Sequence, residues 1–267
     1  MATARRDTRG IMHPRELNER VRFRRRLAAE PLRPYVEHYW LIDWDLDRPF
    51  EQHVVPHPCV NVVWQDPDIA IVVGVESRLS STKLDGAGRV LGAQFRPGAF
   101  RGFLGAPVKS LNDRRLGLDA VFRDHASTDT AAALRAPDDD ARVAAVDAWL
   151  LGLLPDPDTD ADLAMRLAHL ARTDRSITRV DALAAAGGVS VRSLQRLFGE
   201  HVGVGPKWVI RRYRIHEAIE RSADDVDWGR LAVELGYADQ SHLVRDFTAA
   251  TGMSPAAYAR HLSREWP

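Results

Sequence analysis

Several features that define other protein classes are missing from the 267-residue sequence. It contains a single cysteine, Cys59, which excludes an internal disulfide or a zinc site built from several cysteines and favours a reducing compartment. The N-terminus lacks the apolar core of a secretory signal, and the longest dense apolar run, Ile69 to Val75, is too short to span a bilayer. These absences predict a cytoplasmic protein with no membrane contact.

The sequence also has no net charge, with 37 basic and 37 acidic side chains, but its charges are segregated along the chain. Residues 1–30 carry nine arginines against four acids, and residues 172–221 carry ten basic against five acidic side chains. A neutral protein is not expected to attract a polyanion, whereas a local basic face is enough to attract phosphate. Nucleic acid therefore remains a candidate partner.

Composition divides the chain into three segments. Residues 1–30 are predicted to form a basic flexible arm, which we interpret as solvated rather than bound to nucleic acid. Residues 31–155 contain short runs rich in Val and Ile and end in helical patterns, which predicts a β-rich barrel or sandwich with trailing helices. The stretch PDPDTD marks a boundary, and residues 160–267 read as helix throughout. The predicted fold class is a two-domain α+β protein.

The helical segment contains an internal repeat with an offset of 48 or 49 residues. The recurring pairs are Leu183 with Leu231, Leu194 with Leu243, Arg196 with Arg245, Phe198 with Phe247, Gly203 with Gly252 and Pro206 with Pro255. Each copy reads as a short helix, a turn containing glycine and a longer helix, which is the helix-turn-helix arrangement. Ser190 and Asp239 are the predicted N-caps of the two longer helices.

Each longer helix has two faces. Leucine and phenylalanine four residues apart are predicted to face the core. The opposite faces carry Arg192, Gln195 and Arg196 in the first copy and Gln240, Ser241 and Arg245 in the second, with His242 near the edge. Arg and Gln are suited to base edges in the major groove of DNA. An ordinary solvated face would explain either helix alone, but the repetition favours contacts with bases.

The segment between the two copies, residues 205–224, reads as a helix of about five turns. Four of its cations are Lys207, Arg211, Arg212 and Arg214. We expect phosphate contacts from this region, and the expected residues are Ser190, Lys207, Arg211 and Arg212. Pairing of some of these cations with Glu217 and Glu220 is the alternative.

The stretch GYADQSHLVRDFTAATGMSPAAYAR, Gly236 to Arg260, resembles the C-terminal signature of the AraC/XylS family of transcription regulators, and the resemblance covers roughly 100 of the 267 residues. It implies two helix-turn-helix units on a rigid linker helix, reading major-groove segments of promoter DNA about one turn, ~34 Å, apart. It also implies activation through RNA polymerase, and it assigns base contacts to the same six polar residues.

The N-terminal segment is harder to interpret. The runs LGAQFRPGAFRGFLG and LNDRRLGLDAVF resemble an uncharacterised N-terminal class in such regulators, which implies a small-molecule effector or a homodimer. Trp40, Trp44 and Trp64 are a candidate ligand pocket, with packing in the core as the alternative.

His53, His57 and Cys59 lie close together in the sequence, so a metal-dependent enzyme is the alternative function, beside a protein-interaction module. Pro56 and Pro58 interrupt the strand that such a metal site would need. The preferred interpretation therefore has no catalytic residue, metal or cofactor.

Overall fold

The structure is a computed structural model, and it describes residues 10–67, 69–123, 134–222 and 226–264. In the N-terminal region the strands are β1 (Val21–Arg26), β2 (Val36–Val54), β3 (Asn61–Gln65), β4 (Ile69–Val73), β5 (Ser80–Phe95) and β6 (Arg115–Gly117). The helices there are α1 (Pro14–Arg20), α2 (Arg101–Leu104), α3 (Leu118–Phe122) and α4 (Asp139–Leu151).

The strands form one antiparallel sheet in the order β1-β2-β5-β3-β4-β6. β2 and β5 are long and pair along most of their length, with a register shift between Leu46 and Phe50. Alternating side chains then point to opposite faces, so the sheet supports an apolar cluster on each side. The predicted β-rich N-terminal region is confirmed as a six-stranded sheet with β1 and β6 at its edges.

Helix α4 covers one face of the sheet. Its Val146 and Leu150 are almost completely buried in the same cluster as Leu41, Trp64 and Leu91 from the strands. The apolar stretch before the boundary therefore closes the core of the N-terminal region.

The predicted flexible arm is wrong for residues 10–30. β1 pairs with β2 in a continuous register from Val21 to Arg26, and α1 packs beside it. Arginines of β1 pair with carboxylates within the protein. Arg24 donates to both carboxylate oxygens of Asp139 at 2.6 and 2.8 Å and also to Asp43 at 2.6 Å. Arg22, Arg24 and Arg26 are thus paired with acids of α4 and β2. Residues 1–9 of the predicted arm lie outside the described residues.

Beyond the boundary the described chain is helical, as predicted. The helices are α5 (Thr159–Thr173), α6 (Val180–Ala186), α7 (Val191–His201), α8 (Pro206–Glu220), α9 (Trp228–Glu234), α10 (Gln240–Thr251) and α11 (Pro255–Arg264). The repeat appears as α6–α7 and α9–α10, each pair a helix-turn-helix unit, with α8 between the units. Both turns contain a glycine with positive φ, Gly188 at 64° and Gly236 at 72°, a conformation that costs other residues more.

Two cores support the helical region. α5 and the first unit share a cluster around Leu194 and Phe198, and the second unit forms another around Leu243 and Phe247. All four side chains are fully buried, which confirms the predicted inward faces.

The N-terminal region contacts both units. Asn112 Nδ2 donates to the carbonyl of Gly203, just after α7, at 2.6 Å. The Tyr258 hydroxyl in α11 donates to the carbonyl of Met12 at 2.8 Å, and Met12 belongs to the core of the second unit. The sheet region therefore supports each unit through a direct hydrogen bond. Within the described residues, no helix is both long and apolar enough to cross a membrane.

Candidate nucleic-acid interface

The first candidate recognition helix is α7. The Ser190 hydroxyl accepts a hydrogen bond from the backbone N–H of Ser193 at 3.1 Å, so the predicted N-cap is confirmed. Arg192, Gln195 and Arg196 are all exposed, on the side of the helix opposite its buried leucines. The hydroxyl of Ser190 is exposed as well, although it also lies 2.9 Å from the Ser193 hydroxyl.

The second candidate recognition helix is α10, and its cap is stronger. Asp239 accepts from the backbone N–H of His242 at 2.9 Å, and its other oxygen lies 2.9 Å from Nδ1 of the same histidine. These bonds hold the pKa of Asp239 below its usual value, with the backbone bond as the largest cause. Gln240, Ser241 and Arg245 are exposed, and Arg245 Nε donates to the Ser241 carbonyl at 3.3 Å.

A groove of about 780 Å³ lies between the two units. α7 contributes its first residue, Val191, and α10 contributes His242 and Arg245. The floor comes from α8, and its residues there are Lys207, Ile210, Arg211 and Arg214. Both candidate recognition helices therefore border one concave surface on which cations outnumber acids.

The cations of α8 differ in how far they are already engaged. Lys207 is exposed, and no ion pair of Lys207 is found among the residues that the structure describes. Arg211 forms a two-point pair with Asp246 of α10, with Nε at 2.8 Å from one carboxylate oxygen and Nη2 on the other. About half of the Arg211 side chain remains exposed, so the pair leaves part of its guanidinium accessible.

Arg212 is not available to DNA, so its predicted phosphate contact is wrong. Only 6% of the residue is exposed, and its guanidinium lies 4.4 Å from the ring centre of Trp208. Nη2 donates to the carbonyl of Ser77 in the N-terminal region at 2.9 Å. Burial lowers the pKa of Arg212 to about 10. The residue points towards the sheet region because it lies one position, about 100° of helix, from Arg211.

The three tryptophans do not share a pocket, and that prediction is wrong. Trp64 pairs across the sheet with Leu91 and is buried under α4, where Trp149 packs against it edge to face at 5.6 Å. Trp40 and Trp44 lie on the opposite face. The Trp40 indole covers Gly92 so closely that a Cβ there would lie 2.1 Å from the ring.

The residues behind the alternative metal site are separated. Cys59 is buried, Asn61 Nδ2 donates to its sulfur at 3.8 Å, and burial raises the pKa of its thiol to about 12. His57 stacks on His216 of α8 with 4.2 Å between ring centres. His53 lies 3.7 Å from Glu51. Across the described ranges, no group of three or more His, Cys, Asp or Glu side chains is placed to hold a metal ion.

Sequence reasoning missed two residues of the interface. Nothing local in the sequence marks Asp246, which lies beside Arg245, because its partner Arg211 is 35 residues away. The sequence places Arg214 only among the cations of the linker segment, whereas the structure shows its donors pointing to the carbonyls of Thr178 and Gly236. A side-chain bond to a backbone carbonyl leaves no trace in the sequence, because every residue carries a carbonyl.

Comparisons with known families divide the chain in the same way. Residues 183–261 match a family described as a helix-turn-helix domain. Residues 24–117 match a family described as a domain of unknown function, DUF6597. That match begins within β1, in agreement with its place in the sheet.

A curated protein of Streptomyces antibioticus, described as an AraC-like transcription regulator, is 33% identical over 128 residues. The match covers 48% of this chain and 39% of that protein, so the chain spans well under half of the relative's length.

Among solved structures, ToxT from Vibrio cholerae aligns over 83% of this chain and 97% of its own, with 13% identity and a TM-score of 0.44. The C-terminal domain of AraT from Geobacillus stearothermophilus aligns over 39% of this chain and 88% of its own, with 20% identity and a TM-score of 0.36. The C-terminal region of this chain is therefore a helix-turn-helix domain by its family match, and the chain is similar in sequence to an AraC-like transcription regulator.

Proposed function

We propose that the chain is a sequence-specific transcription regulator that binds double-stranded promoter DNA. One observation carries the proposal: an exposed face of arginine and glutamine lies opposite a fully buried apolar face in both α7 and α10. The two helices also border the same groove. A single such helix would be ordinary, whereas two equivalent helices beside one groove could each read one of two adjacent major-groove segments of DNA.

The six exposed side chains take distinct roles in this proposal. Arg196 and Arg192 are suited to bond O6 and N7 of guanine together, and Gln195 is suited to N6 and N7 of adenine. In the second unit Arg245 takes the arginine role, with Gln240 and Ser241 at the start of the helix. Each good bidentate contact discriminates against a wrong base by about 1–3 kcal/mol.

The phosphate contacts are proposed for Lys207, Ser190 and part of Arg211. Lys207 stands exposed in the groove, and no ion pair engages it among the residues that the structure describes. Ser190 lies at the N-terminus of α7, where backbone N–H groups and the helix dipole favour an anion. Arg211 contributes less in this proposal because Asp246 already neutralises much of its charge.

The wider assignments follow from the same proposal. An AraC-type domain of this kind supports activation through RNA polymerase, and the sheet region would respond to a small-molecule effector or form a homodimer. The proposal gives the sheet region a sensing or pairing role rather than an enzymatic one, and it includes no cofactor. The proposal includes a cytoplasmic location.

The test selects binding sequences for the full chain from a pool of random duplexes. On the selected duplex we expect Arg196→Ala and Arg245→Ala each to weaken binding by about 1–3 kcal/mol and to relax the preference at one base pair. Arg48→Ala, an exposed arginine on the sheet, is the matched control and should bind as wild type. Equal affinity and preference in all three variants would contradict the base-reading assignment.

A second measurement tests the phosphate roles. Lys207→Met should weaken binding to all sequences and reduce the slope of log affinity against log salt by about 1. Arg212→Met removes a buried cation of the next turn, and its slope should match wild type. An unchanged slope in Lys207→Met would remove that residue from the interface.

A further inference from the structure

The two helix-turn-helix units approach each other closely beside the groove. The turn of the second unit contains Gly236, where a Cβ would lie 2.5 Å from Cγ2 of Thr178. Thr178 lies just before α6, the first helix of the first unit. The backbone at Gly236 therefore packs against the Thr178 side chain and leaves no room for a side chain of its own.

One side chain of α8 bonds both sides of this contact. Arg214 Nη2 donates to the Thr178 carbonyl in the first unit. Its Nη1 donates to the Gly236 carbonyl in the second unit at 3.4 Å. The guanidinium also lies 5.4 Å from the ring centre of Tyr237. A planar guanidinium can hold two acceptors in a fixed relative position, which an ammonium cannot do.

Other ion pairs tie α8 to one unit at a time. Arg211 bonds Asp246 in α10, and Arg221 bonds Glu234 in α9. Arg214 differs from them because it joins the first unit to the second through a single group. Desolvation lowers its pKa, which agrees with a guanidinium enclosed between backbone carbonyls rather than one extended towards solvent.

We infer that Arg214 is a positioning residue that fixes the relative placement of the two recognition helices, and so sets the spacing of the two DNA segments that the protein can read at once. The inference rests on the proposed DNA-binding function for its consequence. Its structural part, the fixed placement of the units, stands independently of DNA.

The consequence concerns spacing rather than base identity. One inserted base pair moves the second segment by about 3.4 Å and rotates it by roughly 35° around the DNA axis. A rigid pair of units cannot follow this displacement without losing contacts in one segment. A loosened pair can adjust, so it should bind altered spacings with a smaller penalty.

The first experiment uses the duplex selected by the wild-type chain and derivatives with one base pair inserted or deleted between the two contacted segments. We expect wild type to bind the derivatives at least about tenfold more weakly, equivalent to losing one bidentate contact. Arg214→Lys keeps the charge and should reduce the penalty to about threefold or less.

The matched control is Arg179→Lys. Arg179 lines the same groove, but it pairs with Asp181 of its own unit. It should keep the wild-type penalty. If Arg214→Lys also keeps that penalty, or loses affinity equally for every spacing, Arg214 acts as a phosphate contact or not at all, and the inference is wrong.

The second experiment needs no DNA. Nitroxide labels are attached to cysteines in the Ala185→Cys and Val233→Cys positions, which are both exposed and lie on different units. Double electron–electron resonance then measures the distance between the units. We expect one narrow distance for wild type and Arg179→Lys, and a broader distribution for Arg214→Lys and Arg214→Gln in samples with native circular dichroism. Unchanged widths would overturn the inference. Failure of wild type to select any sequence would instead count against the proposed function.

Discussion

The carboxylate of Asp139 holds the basic strand β1 to the rest of the N-terminal region. Arg24 bonds both of its oxygens, Arg26 lies 3.2 Å away, and Arg142 of the same helix lies at 3.8 Å. The side chains of Asp139, Arg24 and Arg142 are only 9%, 11% and 7% exposed. Several cations thus depend on one buried acid.

Replacing Asp139 by asparagine keeps the shape and removes the charge. Asp43 would then be the remaining carboxylate near Arg24 and Arg142. Breaking a buried pair by removing one partner costs about 3–5 kcal/mol, because the other charge stays buried. Here Asp43 still compensates part of that charge, which places the expected cost near the lower end of this range. We expect Asp139→Asn to lower the free energy of unfolding by an amount in this range.

The assay is urea unfolding followed by tryptophan fluorescence, with the midpoint and slope fitted together. Asp140→Asn is the matched control: Asp140 is 61% exposed and lies 3.4 Å from Arg26, so its loss should cost no more than about 1 kcal/mol. A similar small cost for both variants would refute the conclusion that Asp139 holds β1 in place. Faster tryptic cleavage within β1 in Asp139→Asn alone would support it.

Two further predictions concern groups between the two regions and inside the sheet. Tyr258→Phe removes the bond to the Met12 carbonyl and should cost about 1–3 kcal/mol in urea unfolding, because that buried acceptor loses its donor; a neutral substitution would contradict the support of this unit by the sheet region. Burial lowers the pKa of His38 to about 3, and Arg25 adds to this effect. Unfolding therefore takes up a proton between that pH and about 6.5, so stability should fall as pH drops below about 6.5, by up to about 1.4 kcal/mol per pH unit. His38→Gln should flatten this dependence, and equal slopes for both proteins would contradict it.

Much of the helical region was predictable because its signals are local. Ser190 and Asp239 cap their helices through bonds to residues three positions away. Leu194 with Phe198 and Leu243 with Phe247 occupy one face by helical periodicity alone. The exposed position of the six polar residues follows from the same periodicity, so the residues of the candidate interface can be predicted without knowing the fold.

The errors fall where partners are distant in sequence. Local composition indicates a flexible arm where β1 lies, because the acid that pairs with its arginines, Asp139, is 115 residues away from Arg24. Residue type alone groups the three tryptophans. Side chains of a strand alternate between the two faces of a sheet, and the register puts Trp64 and Trp40 on different faces.

By itself, the sequence determined the helix boundaries, the repeat and the outward faces of α7 and α10, because these depend on periodicity and capping over a few residues. Only the tertiary structure decided which cations remain available. Arg211 and Arg212 are neighbours with the same side chain, yet Asp246 pairs with the first and Ser77 and Trp208 enclose the second. That distinction depends on which distant surfaces pack against each side of α8, and a local pattern carries no record of it.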